Sequence, residues 1–144
     1  MRLQLALDVS DIDEAVEFYS KLFDAEPNKR KPGYANFAID EPPLKLVLFE
    51  NPEGGGTLNH LGVETETADQ VVAAEQRLTA DGLDTSGVSE TTCCFADKSE
   101  TWVSGPDGVR WEWYVKLDDR DTFGENTGAG FDEEPVAAGS GGCC

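Results

Sequence analysis

The chain has 144 residues, is 39% hydrophobic, and carries 29 acidic against 11 basic residues for a net charge of −18. That length is about one domain with enough apolar content for a core, and the acidity argues against nucleic acid as a partner, because phosphate backbones are bound by basic surfaces. No run of 18 apolar residues is present and the N-terminus goes directly into an alternating strand, so a cytoplasmic protein with no membrane partner is expected.

The acidity is not confined to one segment. Residues 118–144 hold seven acids and one base, a net of −6, which leaves −12 on residues 1–117. Self-repulsion penalises such a lysine-poor surface in dilute buffer and salt relieves it, which points to a high-salt cytoplasm. The melting midpoint is then expected to rise with KCl concentration, and a midpoint indifferent to salt would leave only an acidic protein from an ordinary cell.

Taken in order, residues Arg2 to Val9 alternate Leu3, Leu5, Leu7 and Val9 against Gln4, Ala6 and Asp8, a strand with one apolar face from which Gln4 points away. Ser10 with Asp13 has the form of an N-cap with an acid at N3. Ile12, Ala15, Val16, Tyr19, Leu22 and Phe23 then recur at helical spacing. Pro27 and Lys29-Arg30-Lys31-Pro32 end that helix in a loop, the chain's only positive cluster, which either balances local acids or meets an anionic substrate. Tyr34 to Ile39 and Leu44 to Phe49 read as strands around the Glu41-Pro42-Pro43 turn.

After the hinge Gly54-Gly55-Gly56 the order of elements begins again. A strand holds His60, the only histidine, with Leu58 and Gly62 on its face and Asn59, Leu61 and Val63 on the other. Thr67 with Gln70 forms a capping box, Ala68, Val71, Ala74 and Leu78 make a helical stripe, and Gly82 is the stop. Strands are predicted at Thr92 to Ala96, Thr101 to Ser104 and Val109 to Val115, the last two joined by the turn Gly105-Pro106-Asp107-Gly108. At an offset of 56 Gln4 falls on His60, Val16 on Val72 and Leu22 on Leu78, so the chain contains an internal repeat of strand, helix, strands. After Lys116 periodicity stops, and Asp118 to Cys144 reads as an acidic disordered tail ending in Cys143 and Cys144.

Three polar residues stand out. A lone strand histidine is by default a hydrogen-bonded structural residue, but Glu112 lies among Trp111, Trp113 and Tyr114, and a buried carboxylate needs a partner or a metal. Gln4, His60 and Glu112 are thus candidates for a shared polar site. One amide, one imidazole and one carboxylate would leave open positions on an octahedral ion, departing from the two-histidine, one-carboxylate set of ferrous oxygenases. The adjacent pairs Cys93-Cys94 and Cys143-Cys144 fit neither a zinc ribbon nor a secreted disulfide framework, and in a reducing compartment they read as thiols with a soft-metal or redox role. Neighbours on a regular strand face opposite ways, so Cys93 and Cys94 can grip one atom together only from a loop or bulge; otherwise one is buried and one exposed.

The two strand-helix-strands halves, with Gln4-Leu5-Ala6-Leu7, Phe18-Tyr19-Ser20-Lys21-Leu22-Phe23, Lys31-Pro32-Gly33-Tyr34-Ala35-Asn36-Phe37-Ala38-Ile39, Leu58-Asn59-His60-Leu61-Gly62-Val63-Glu64 and Thr92-Cys93-Cys94-Phe95, resemble the vicinal oxygen chelate superfamily, and within it the cadmium-induced proteins and carbon–arsenic lyases. The resemblance implies an α+β fold of two tandem βαβββ modules forming a half-open mixed β-barrel around a metal cleft. The domain would span 1–117, with modules at about 1–52 and 57–117 and the tail at 118–144. It implies Fe(II), or another divalent metal, on Gln4, His60 and Glu112, and an organoarsenical held by Cys93 and Cys94 and demethylated with dioxygen; His60 and Glu112 would be the catalytic ligands. Glyoxalase I takes a fourth ligand near the position of Val47, which argues against that enzyme. The alternatives are a cadmium or arsenic binder working through its thiolates without catalysis, and a glyoxalase or thiol-transfer enzyme. A homodimer is compatible with such a small fold, though no residue names an interface.

Overall fold

The computed structural model describes residues 1–123; the tail assigned from the sequence, with Cys143 and Cys144, lies from residue 124 onward outside the described residues. The chain divides into two compact units, one of Arg2–Leu61 and one that begins at Gly62 and takes in Met1.

In the N-terminal unit, β1 (Arg2–Val9) uses both faces: Gln4 and Ala6 are buried on one side, while Leu5 and Leu7 pack against the core on the other. The helix α1 (Ile12–Phe23) is capped by Asp11 and not by Ser10, as the Asp11 carboxylate accepts the Glu14 N–H at 2.9 Å. Both residue types cap well; it is Asp11 that has the extended backbone of a cap, at φ −139°, directly before the first helical residue Ile12. The Glu50 carboxylate takes a second bare donor, the Ile12 N–H, at 3.0 Å. Asp24, in the left-handed region at φ 49°, ends the helix before Pro27 is reached.

The predicted basic loop is instead the edge strand β2 (Lys29–Lys31), antiparallel to β3 (Tyr34–Ile39), and Arg30 pairs with Asp13. Charged side chains suit an edge strand because they discourage further pairing. β4 (Leu44–Glu50) runs antiparallel to β3 and parallel to β1, from Leu3 opposite Leu44 to Val9 opposite Glu50. Ile12 and Val16 of α1 pack onto Phe37, Ile39, Leu46 and Leu48.

β5 (Thr57–Glu64) neighbours β1 and crosses the boundary between the units. Its approach explains a glycine: a Cβ on Gly55 would lie 2.5 Å from the Ser10 backbone nitrogen.

In the C-terminal unit, α2 (Ala68–Ala80) carries the predicted Thr67–Gln70 capping box and buries Val71, Ala74 and Leu78. β6 (Ser89–Cys93), β7 (Ala96–Ser104) and β8 (Arg110–Asp119) are antiparallel neighbours in that order, with a single 3-10 turn at Pro106–Gly108 between the last two. Two strands replace the predicted single strand over Thr92 to Ala96, because the chain reverses at Cys94-Phe95. The N-terminal unit thus shows a helix and strands with β1 beside β4, and the C-terminal unit a helix and three antiparallel strands, in an α+β mixed sheet. Among the described residues no helix is long and apolar enough to cross a membrane.

Candidate metal and sulfur sites

The N-terminal unit brings Gln4 and His60 together. Both are buried, and Gln4 Nε2 lies 3.0 Å from His60 Nε2. The opposite ring nitrogen, Nδ1, is 2.7 Å from Asn59 Oδ1, and Asn59 Nδ2 donates to Asp8 Oδ1 at 3.0 Å. The burial of His60 is therefore satisfied by polar partners on both nitrogens.

Glu112 belongs to the C-terminal unit and is completely buried on β8, where it stands opposite Trp102 of β7. Alternation places Lys98, Glu100 and Trp102 on one face of β7. Lys98 Nζ donates to Glu112 Oε1 at 2.8 Å, lies 3.9 Å from Glu100 Oε2 and sits 4.9 Å from the Tyr114 ring centroid. Trp102 Nε1 donates to Glu100 Oε1 at 3.1 Å, while Glu100 Oε2 has no hydrogen-bond partner among the described residues. The strand predicted from Thr101 begins earlier, at Ala96, so Lys98 and Glu100 lie on it although they are absent from the candidate residues of the sequence. The signal was the alternation Lys98, Glu100, Trp102 running into the predicted strand.

Burial, then the charge of Glu112, pushes the Glu100 carboxyl up to about 7 from its ordinary 4.5, against the pull of Lys98 and the Trp102 N–H. The folded state holds this proton more tightly than the unfolded chain does. The stability it gives is therefore complete below pH 4.5 and is lost as pH rises through about 7. Glu100→Gln removes that titration, so the stability of the metal-free variant relative to wild type is expected to improve between about pH 5 and pH 8, on the order of 3 kcal/mol. Melting curves at both pH values check it; an unchanged difference would contradict it.

Cys93 ends β6 and Cys94 begins a two-residue hairpin turn closed by Cys93 opposite Ala96. Cys94 and Phe95 are both left-handed, at φ 52° and 63°, the backbone of a type I′ turn that normally calls for asparagine and glycine. This geometry lifts the constraint of opposite strand faces. Both sulfurs are buried and their Sγ atoms are 3.3 Å apart, beyond the roughly 2.05 Å of a bond between them. Contrary to the expectation of thiols, neither is a free thiol in this structure.

The turn is fastened from the end of β8. The Cys94 N–H donates to the Phe123 carbonyl at 2.6 Å, the Arg120 N–H to the Phe95 carbonyl at 2.9 Å, and the Phe95 and Phe123 rings meet edge to face at 5.7 Å. Asp97 accepts from Arg120 Nε and from Thr92 Oγ1, both at 2.6 Å, and these bonds, Arg120 first, hold its carboxyl below the usual range.

Among the described residues no three His, Cys, Asp or Glu side chains gather as a metal-holding group. The implied set contains only two residues of those types, His60 and Glu112, its third donor being the Gln4 amide.

Comparison with known proteins agrees with this architecture. A family model described as the Glyoxalase/Bleomycin resistance protein/Dioxygenase superfamily matches residues 3–113. The cadmium-induced protein CadI of Mycobacterium tuberculosis H37Rv is 61% identical over 123 residues, covering 85% of this chain and 81% of that protein. A trivalent organoarsenical cleaving enzyme of Thermomonospora curvata is 52% identical over 123 residues, covering 85% and 82%. Among solved structures, the Mn(II)-bound glyoxalase of Novosphingobium aromaticivorans shares the fold with a TM-score of 0.57 at 18% identity, covering 83% of this chain and 40% of that one. The chain belongs to the glyoxalase/bleomycin resistance protein/dioxygenase superfamily.

Proposed function

We propose that this protein cleaves the carbon–arsenic bond of trivalent organoarsenicals such as methylarsenite, using Fe(II) and dioxygen. The observation that carries the reading is the Cys93–Cys94 turn, which presents two sulfurs 3.3 Å apart. A methylated trivalent arsenical has two exchangeable positions, and the reduced pair fills both with thiolates, releasing two waters and leaving only the carbon–arsenic bond. Two left-handed non-glycine residues cost roughly 1–2 kcal/mol each, and strain of that kind is kept where a site requires it. Relatives named as trivalent organoarsenical cleaving enzymes, at 52% and 39% identity, support the same substrate class.

The residues that would hold the metal are Gln4, His60 and Glu112. Amide oxygen, imidazole nitrogen and carboxylate suit a borderline divalent ion, while thiolates suit arsenic(III), so the two donor sets divide by softness. Fe(II), when bound, supplies the electrons by which dioxygen becomes reactive. The chain's own part is to hold: Lys98 orients the Glu112 carboxylate through Oε1, and a half-turn of the Gln4 amide exchanges its nitrogen for its oxygen beside His60 Nε2.

A second reading, thiol-based sequestration of cadmium or arsenic without catalysis, is favoured by the 61% identity to a protein named for cadmium induction. The reduced protein, loaded with ferrous iron under nitrogen and given methylarsenite and then oxygen, separates the two. Inorganic arsenite as product supports cleavage; intact methylarsenite retained on the protein supports sequestration.

A further inference from the structure

The contacts around His60 form one directed chain, and its direction is set at Asp8. An ionised carboxylate only accepts hydrogen bonds, so Asn59 must offer Asp8 its amide NH2, at 3.0 Å. That turns Asn59 Oδ1 toward the ring, where it also only accepts; the proton of the 2.7 Å contact therefore belongs to His60 Nδ1. In a neutral imidazole the other nitrogen is then a lone pair, matching the 3.0 Å approach of the Gln4 NH2 to Nε2. Asp8 is itself fixed, since its carbonyl takes the Gly56 N–H at 2.8 Å and the next carbonyl, of Val9, takes the Asn51 N–H at 2.7 Å.

We propose that Asn59, braced by Asp8, is a positioning residue that locks His60 in the Nδ1–H form and keeps the Nε2 lone pair aimed at Gln4. An imidazole without such a partner favours the Nε2–H form, which would put a proton on the nitrogen a metal must approach. The tautomer rests only on the contacts above; its consequence for metal binding rests on the reading of Gln4, His60 and Glu112 as ligands.

His60 is the only histidine, so its ring can be read without assignment ambiguity. Long-range proton–nitrogen correlation spectra of the metal-free full chain, taken at about pH 8, are expected to show Nδ1 protonated and Nε2 bare. Asn59→Ala is expected to shift the ring toward Nε2–H, Asp8→Ala to give a mixture, and Asn59→Asp, which keeps an acceptor against Nδ1, to retain the wild-type form. Mn(II) alone, titrated by calorimetry, is expected to bind Asn59→Ala about 10- to 100-fold more weakly. A wild-type ring in the Nε2–H form overturns the proposal without any variant. So does Asn59→Ala with the wild-type tautomer and Mn(II) affinity. A wild-type Nδ1–H ring in a protein that cleaves no arsenical would overturn the proposed function and leave the role of Asn59 standing.

Discussion

Lys98→Met is expected to destabilise the metal-free protein by about 3–5 kcal/mol at pH 8. The ammonium group and both carboxylates it serves, Glu112 at 2.8 Å and Glu100 at 3.9 Å, are at least 97% buried. Methionine fills similar volume, so the loss isolates the charge and not the packing. Lys98 pulls the Glu100 carboxyl down, so without it the folded-state pKa, already raised to about 7, rises further. The stability that depends on that proton is present at low pH and lost as pH rises, so the deficit of the variant is expected to shrink toward about pH 5. Chemical denaturation at both pH values measures it. A deficit under about 1 kcal/mol, or one that ignores pH, would mean that Lys98 is not the counter-charge of Glu112.

Losing one sulfur of the turn is expected to weaken retention of methylarsenite by about 10²- to 10⁴-fold, since the second thiolate binds at the effective concentration set by the first. Cys93→Ser and Cys94→Ser each keep the size of the side chain and replace a soft donor by a hard one. The measurement is equilibrium dialysis of the reduced protein under nitrogen, with a melting curve to confirm that the variant folds. Retention unchanged in either single variant would mean that arsenic is not gripped by both sulfurs.

Much of the fold was legible because local signals agreed. The alternation of β1, the Thr67–Gln70 capping box and the stripe Val71, Ala74, Leu78 each have one structural meaning, and they appear as read. The misreadings have physical causes. Lys29-Arg30-Lys31 has no apolar period, yet pairs at a sheet edge where charge is tolerated. Lys98 and Glu100 resemble solvent-facing charges, and only the position of Lys98 between Glu112 and Glu100 makes burial affordable. The turn at Cys94-Phe95 lacks the residues that favour left-handed backbone, so its position followed from strand pairing and from the anchoring by Arg120 and Phe123. The internal repeat pairs Gln4 with His60, and their side chains approach to 3.0 Å. Asn59 went unnoticed because an amide beside a histidine is unremarkable until its partner, Asp8, is seen.

The division of labour between a sulfur pair and an oxygen–nitrogen set is tested most directly by measuring arsenic retention and arsenic speciation in the same sample. Iron-loaded, reduced wild type, His60→Ala and the Cys93→Ser/Cys94→Ser double variant would be given methylarsenite and then oxygen. The expected result is arsenite from the wild type, intact methylarsenite still held by His60→Ala, and neither retention nor cleavage by the double variant. Arsenite formed by His60→Ala or by the double variant at the wild-type rate would contradict it.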